Sequence, residues 1–266
     1  MYVPPDALST GVPPLPRIVA LAARERRTRF ADGRIGYAWA FITPIVWIGF
    51  VVILFRLLGR VPPIHAGPEI FVATAIIPYL AVRQTITAIS RSHAAGRHLR
   101  YIPGIRIIDL LLATALLEGI NLVAVTILIC GGIIAIFGAD LPAEPLGIGL
   151  TLLTVWLLGT GVGRLIAAIG LFSDGFARAV PLMLRPLFWI SGIFYTAQEL
   201  PGAAQAALWY NPLLHVTESM REAFFASYGS PIASLWYPTA FACACFLIAH
   251  PIERRAEIRR TGRHRL

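Results

Sequence analysis

Apolar residues in this chain come in long runs, not in the alternating or one-faced patterns of soluble strands and helices. The runs cover about Tyr37–Leu58, Ile70–Ile89, Asp109–Phe137, Leu146–Phe172, Ala179–Tyr195 and Ile232–Pro251. Roughly 20 such residues cross a hydrocarbon core as a helix, so the pattern predicts an all-α integral membrane protein with six transmembrane helices. Residues 1–16 hold five prolines and read as a tail. Residues 17–36 hold six arginines around a short apolar run, Ile18 to Ala23, and predict a helix lying on the membrane surface. The stretch 90–108 is polar and basic, 138–145 holds two acids and two prolines, and 173–178 is a short polar turn. Residues 196–231 are too polar to span and too apolar for a plain loop. With a turn at Asn211-Pro212 and an amphipathic stretch from Leu213 to Phe225, they predict a re-entrant or interfacial helical hairpin before the last span.

Composition agrees with the runs. The chain is 57% hydrophobic and 14% charged, against about a quarter charged in soluble domains. The net charge of +9 does not signal nucleic acid, because the arginines gather at the ends of the apolar runs. Six arginines precede the first span, four occupy the second connection, none the third, and six the tail. Under the positive-inside rule both termini lie in the cytoplasm, which an even number of spans satisfies. The expected organisation is a cytoplasmic tail and surface helix over 1–36, a transmembrane domain over 37–251 and a basic cytoplasmic tail over 252–266. Residues 1–16 lack the apolar core of a cleavable signal, so the first span is expected to act as the insertion signal.

All 23 basic residues are arginine. Without lysine the chain has no ordinary P-loop and no Schiff-base chemistry. Cys130, Cys243 and Cys245 all lie in apolar runs, and neither a disulfide nor a metal site is expected.

Ionisable residues inside spans are costly and are the first functional suspects. Glu118, Arg164 and Arg185 fall at a similar depth, roughly 10–14 Å from the cytoplasmic end of their spans at 1.5 Å per residue. Glu118 is therefore expected to pair with Arg164 or Arg185, either as glue between helices or with one arginine facing a path for an anionic cargo. On the fifth run Arg185, Trp189, Gly192 and Tyr195 would share one helical face, flanked by Phe188; the first run offers Trp39, Trp47 and Phe50. Aromatic rings stack on sugars and arginine suits phosphate, so these residues are candidates for a glycan path. The plain alternative is packing or an aromatic belt. Gly159, Gly161 and Gly163 point to close helix packing.

The segments together resemble permease subunits of ABC-2 type exporters, in the capsular polysaccharide export branch. The likeness rests on Arg24-Glu25-Arg26-Arg27-Thr28-Arg29-Phe30 with Arg34-Ile35-Gly36-Tyr37-Ala38-Trp39-Ala40, and on Ile77-Pro78-Tyr79. It continues through Pro103, Ile108-Asp109 and Ala113 to Glu118, then Pro181 to Tyr195, and the run Trp209 to Glu222. Thr43 stands where an acid is expected before Pro44, and Thr114 where an arginine is common. The resemblance implies a homodimer bound to two copies of a separate ABC ATPase subunit, which would bind the ATP. It implies a lipid-linked polysaccharide as cargo and the bacterial inner membrane as location. It places coupling elements at the surface helix and the second connection, hence at Arg24, Arg27, Arg29, Arg97 and Arg100. Asn211, Pro212, His215, Glu218 and Arg221 would belong to an extracytoplasmic hairpin.

Two other readings compete. One is an ABC-2 exporter of O-antigen, teichoic acid or a smaller amphiphile. The other is a membrane-embedded enzyme of glycan assembly, for which His215 with Glu218 is the one close acid–base candidate.

Overall fold

The computed structural model describes residues 14–29, 34–64, 66–99, 107–172 and 174–263, and every regular element among them is a helix. The order is α1 (Pro14–Arg29), α2 (Arg34–Leu57), α3 (Pro68–Leu99), α4 (Ile107–Phe137), α5 (Pro145–Gly170), α6 (Asp174–Met183), α7 (Leu187–Ile190), α8 (Gly202–Leu208), α9 (Pro212–Phe224) and α10 (Trp236–Arg263). Four stretches are long and apolar enough to cross a membrane: Ala38–Leu57, Pro68–Ser92, Ile108–Phe137 and Pro145–Gly170. A shorter apolar stretch covers Ala179–Ile190.

Two expected spans take another form. The fifth run is not one continuous helix. Pro181 and Pro186 each withhold a backbone donor from their helix, and the chain breaks between α6 and α7. It turns again at Gly192, whose φ of 75° only glycine adopts readily. The last run belongs to α10, whose apolar length is cut short by His250, Pro251 and Glu253. The second connection is also largely helical, because α3 continues to Leu99. Ser90 and Ser92 return their hydroxyls to the Ile86 and Ile89 carbonyls at 2.8 and 2.9 Å, which removes the cost of their polarity.

The core forms around α3 and α5. Residues Ile70 to Leu80 of α3 are buried without interruption. The three glycines of α5 explain how two helices approach it at once. A Cβ on Gly159 would stand 2.8 Å from the Thr85 side chain, and one on Gly163 would stand 3.1 Å from the Ile86 backbone, both on α3. One on Gly161 would stand 2.7 Å from the Ala242 carbonyl oxygen of α10. The glycine cluster thus lets α5 lie between α3 and α10 at near-backbone contact, as small residues do in membrane bundles. Trp156 of α5 seats on Gly119 of α4 and donates its indole N–H to the Ala115 carbonyl at 2.7 Å. Thr114, Thr126, Thr151, Thr154 and Thr160 each donate to the carbonyl four residues earlier, so none of these five hydroxyls is left unpaired in an apolar medium. α1 packs against α4.

Candidate translocation site

Two features carry the chemistry. The first is a cavity of about 760 Å³ between α1, α2, α3, α4 and α6. α2 contributes Trp39, Thr43 and Trp47; α3 contributes Arg83, Gln84, Thr87 and Arg91; α4 contributes Glu118 and Asn121; Glu25 and Pro181 close the rim. A small recess behind Glu118 and Asn121 is lined by Ala40 and Pro44. Pro44 has no N–H, so the Ala40 carbonyl lacks its usual partner one turn on. The recess therefore gains another polar group.

The expected partners of Glu118 are placed elsewhere. Arg164 is held by Glu253 of α10, with Nε and Nη2 donating to the two carboxylate oxygens at 3.1 and 2.7 Å. Arg185 is exposed at the break before α7. The reason is geometric: α10 packs along the glycine face of α5, bringing Glu253 against Arg164, and the broken fifth run turns Arg185 outward.

The expected aromatic group assembles in part. Trp47 and Phe188 lie 5.0 Å apart between ring centroids, Phe188 and Trp189 5.4 Å, and Trp47 and Phe50 6.3 Å. Phe194 stacks on Trp189 at 5.1 Å. Trp39, Phe50 and Trp189 are exposed, while Phe188 is buried. The single face proposed for Arg185, Trp189, Gly192 and Tyr195 does not exist, because the helix ends at Ile190 and the Gly192 turn redirects the chain. The Tyr195 ring instead packs by Ala197, Leu214 and Ile232. Of the arginines expected to couple to an ATPase, Arg24 is exposed on α1. Arg100 lies outside the described residues, as do the side chains of Arg27, Arg29 and Arg97.

The second feature joins α9 to the broken fifth run. Asn211 caps α9, its Oδ1 accepting from the Leu213 N–H at 3.1 Å, and its Nδ2 donates to the Ile190 carbonyl at 2.9 Å. The Thr217 hydroxyl lies 2.8 Å from the Ser191 carbonyl. Arg221 Nη1 donates to the Tyr195 carbonyl at 2.7 Å. Asn211 and Thr217 thus satisfy carbonyls that the end of α7 would leave orphaned, and Arg221 satisfies one beyond the Gly192 turn. Gly192 permits the approach, since a Cβ there would stand 2.8 Å from the Leu214 side chain.

Arg221 is completely buried. Its charge meets Glu218 Oε1 at 3.1 Å, and its guanidinium carbon sits 4.1 Å over the Phe71 ring. Burial pulls its pKa down, and Glu218 beside it pulls the other way. Tyr228 and Ser230 donate to Glu218 Oε2. Burial and then the Glu218 charge push the Tyr228 phenol above its ordinary value, so it stays a donor.

His215 and Glu218 do not form an acid–base pair. His215 Nε2 meets the Trp209 carbonyl at 2.6 Å, and its ring packs against Trp209 and Tyr237, which also meet each other. Glu218 faces Arg221, Tyr228 and Ser230. Pro212 occupies the first turn of α9, where its missing N–H costs nothing.

Sequence reading gave no role to Arg83, Gln84 or Arg91, although the spacing of the two arginines along α3 was a usable signal. It also missed Glu253, masked by the basic tail, and Tyr228 in an irregular segment.

A sequence profile of the ABC-2 type transporter family matches residues 16–225. The chain belongs to the ABC-2 type transporter family. This ABC-2 chain is 31% identical over 249 residues to the polysialic acid transport protein KpsM of Escherichia coli, covering 90% of the chain and 93% of KpsM. It is 27% identical over 209 residues to the capsule polysaccharide export inner-membrane protein BexB of Haemophilus influenzae, covering 78% of each. It is 26% identical over 225 residues to the capsule polysaccharide export inner-membrane protein CtrC of Neisseria meningitidis serogroup B, covering 83% of each. As an ABC-2 membrane domain it is a multi-pass membrane protein and a transport subunit, not itself a catalyst.

Proposed function

We propose that this chain is the permease subunit of an ATP-driven exporter of capsular, lipid-linked polysaccharide in the bacterial inner membrane. The observation that carries this reading is the match to capsule and polysialic acid export proteins over nearly the whole length of both chains. A homodimer of the chain would enclose the path, and an ABC ATPase would bind and hydrolyse ATP, since a chain without lysine has no ordinary P-loop. Six spans with both termini in the cytoplasm, the broken fifth run and α10 supplying the last two, fit the arginine distribution. On that topology the transmembrane domain is 37–251, and α8 and α9 form the hairpin on the outer face. α1 and the basic end of α3 with the segment that follows it, carrying Arg24, Arg27, Arg29, Arg97 and Arg100, would meet the ATPase. Trp39, Trp47, Phe50, Phe188 and Trp189 would offer many weak stacking contacts to a moving glycan, with Arg185 near its entry.

The test is a deletion strain stained for surface polysaccharide, complemented with this gene, alongside co-purification with the ATPase. Restored capsule and a recovered ATPase are expected. A strain that keeps its capsule without the gene would overturn the reading.

A further inference from the structure

The geometry points to a binding site for the phosphate-bearing head of an acidic amphiphile in the cavity between α2, α3 and α4, with Arg83 and Arg91 as its ligands. This rests on the export reading and adds where the cargo's lipid end would be held. Arg83 and Arg91 lie eight residues apart on α3, with Thr87 midway, so the three share one helical face. That face opens into the cavity. Counted from Pro68 at about 1.5 Å per residue, Arg83 lies roughly 22 Å and Arg91 roughly 34 Å along the helix. Against a hydrocarbon core of about 30 Å, Arg91 stands at headgroup level and Arg83 inside the apolar layer. A charged side chain at that depth marks a site by default.

Two observations favour an anion. Among the described residues neither arginine is within ion-pair distance of a carboxylate. The Tyr79 hydroxyl, one helical turn before Arg83, turns to the Leu184 carbonyl at 3.4 Å, and the carboxylates that line the same cavity, Glu118 and Glu25, stand beyond ion-pair distance of both arginines. Arginine's planar fork matches phosphate oxygens bidentately. Trp39 and Trp47 of α2 line the same cavity. Trp39 is 58% exposed, so its indole offers an apolar surface to an acyl or prenyl chain beside the charged strip. A volume of about 760 Å³ lies within the range of small-molecule sites, about 300–1,000 Å³.

The test is native mass spectrometry of the purified full chain titrated with phosphatidylglycerol, with phosphatidylcholine of the same chains as comparison. The expected result is one retained phosphatidylglycerol per chain and no comparable retention of phosphatidylcholine. Arg83→Gln and Arg91→Gln should each weaken retention about tenfold or more, the loss of a charge-assisted hydrogen bond. Arg91→Lys should recover part of it. Arg60→Gln, at the opposite end of the bundle, should change nothing. Arg91 is exposed, so its variant reports binding even if Arg83→Gln disturbs folding. Equal retention of both lipids, or wild-type retention by the Arg91 variant, would overturn the site. Displacement by millimolar inorganic phosphate would assign it to free phosphate and overturn the lipid reading. Complementation of capsule by the wild-type gene tests the export reading separately.

Discussion

Replacing Gly161 by alanine adds one methyl group where α5 crosses α10. The new Cβ would lie 2.7 Å from the Ala242 carbonyl oxygen and 3.2 Å from the Ala242 Cα. Both neighbours are backbone, so no rotamer change can relieve the contact, and the two helices must part. Such overpacking costs about 1–3 kcal/mol. Alanine returns about 0.5–1 kcal/mol through its better helix propensity. The net expectation is a loss of up to about 2 kcal/mol. Gly131 supplies the control, since a Cβ there meets nothing within 4 Å. Gly131→Ala should therefore stabilise by about 0.5–1 kcal/mol. Both variants gain the same helix propensity, so their difference, about 1–3 kcal/mol, isolates the crossing. Denaturant or thermal unfolding of the purified protein in one detergent measures it. If Gly161→Ala unfolds with or later than Gly131→Ala, α10 does not lie on the glycine face of α5.

Two further predictions follow from the buried charges. A double-mutant cycle on Arg164→Gln and Glu253→Gln should give a coupling of about 1–3 kcal/mol for a bidentate, largely buried pair; additive losses in unfolding would refute the contact. Glu218→Ala leaves the Arg221 charge buried without its partner and should cost about 3–5 kcal/mol. Glu218→Gln, which keeps hydrogen-bonding atoms, should cost clearly less, and equal unfolding midpoints for the two would show that the charge is unimportant there.

Much of the helical frame was legible because its causes are local. Asp109 to Phe137 and Leu146 to Phe172 predict α4 and α5 almost residue for residue, since uninterrupted apolar length needs no tertiary knowledge. The packing role of Gly159, Gly161 and Gly163 follows from their lack of side chains in a membrane helix. The hairpin's turn was visible in Asn211-Pro212. The errors arise where a long-range partner decides. Three ionisable residues at one depth suggested that Glu118 binds Arg164 or Arg185, yet depth does not say which helices are neighbours, and α10 reaches Arg164 first. An amphipathic Leu213–Phe225 suggested a half-exposed helix, yet Leu213 through Arg221 are all buried. The polar side chains of α9 meet the orphan carbonyls of α7, a need created by the break in the fifth run. No periodicity in either segment alone contains that match.

The same break indicates which parts move. α3, α5, α9 and α10 interlock through glycine crossings, and α9 is pinned to the fifth run by three side-chain hydrogen bonds. α2 is held differently. Trp39, Ile42, Ile45, Val46, Phe50 and Ile53 are exposed, and the helix packs mainly on α3. α6 and α7 are short, proline-interrupted and exposed at Leu182, Met183 and Trp189. Opening free energy follows local burial, so an alternating path should open by displacing α2 with α6 and α7 against a static remainder. Hydrogen exchange in a lipid nanodisc tests this. Amides of α2 near Pro44 and of the 184–187 break should exchange well before those of α5 between Val155 and Ala168, which lie under both neighbouring helices. Uniform protection across α2 and α5 would mean that the bundle moves as one body, and the path would then have to open between protomers alone.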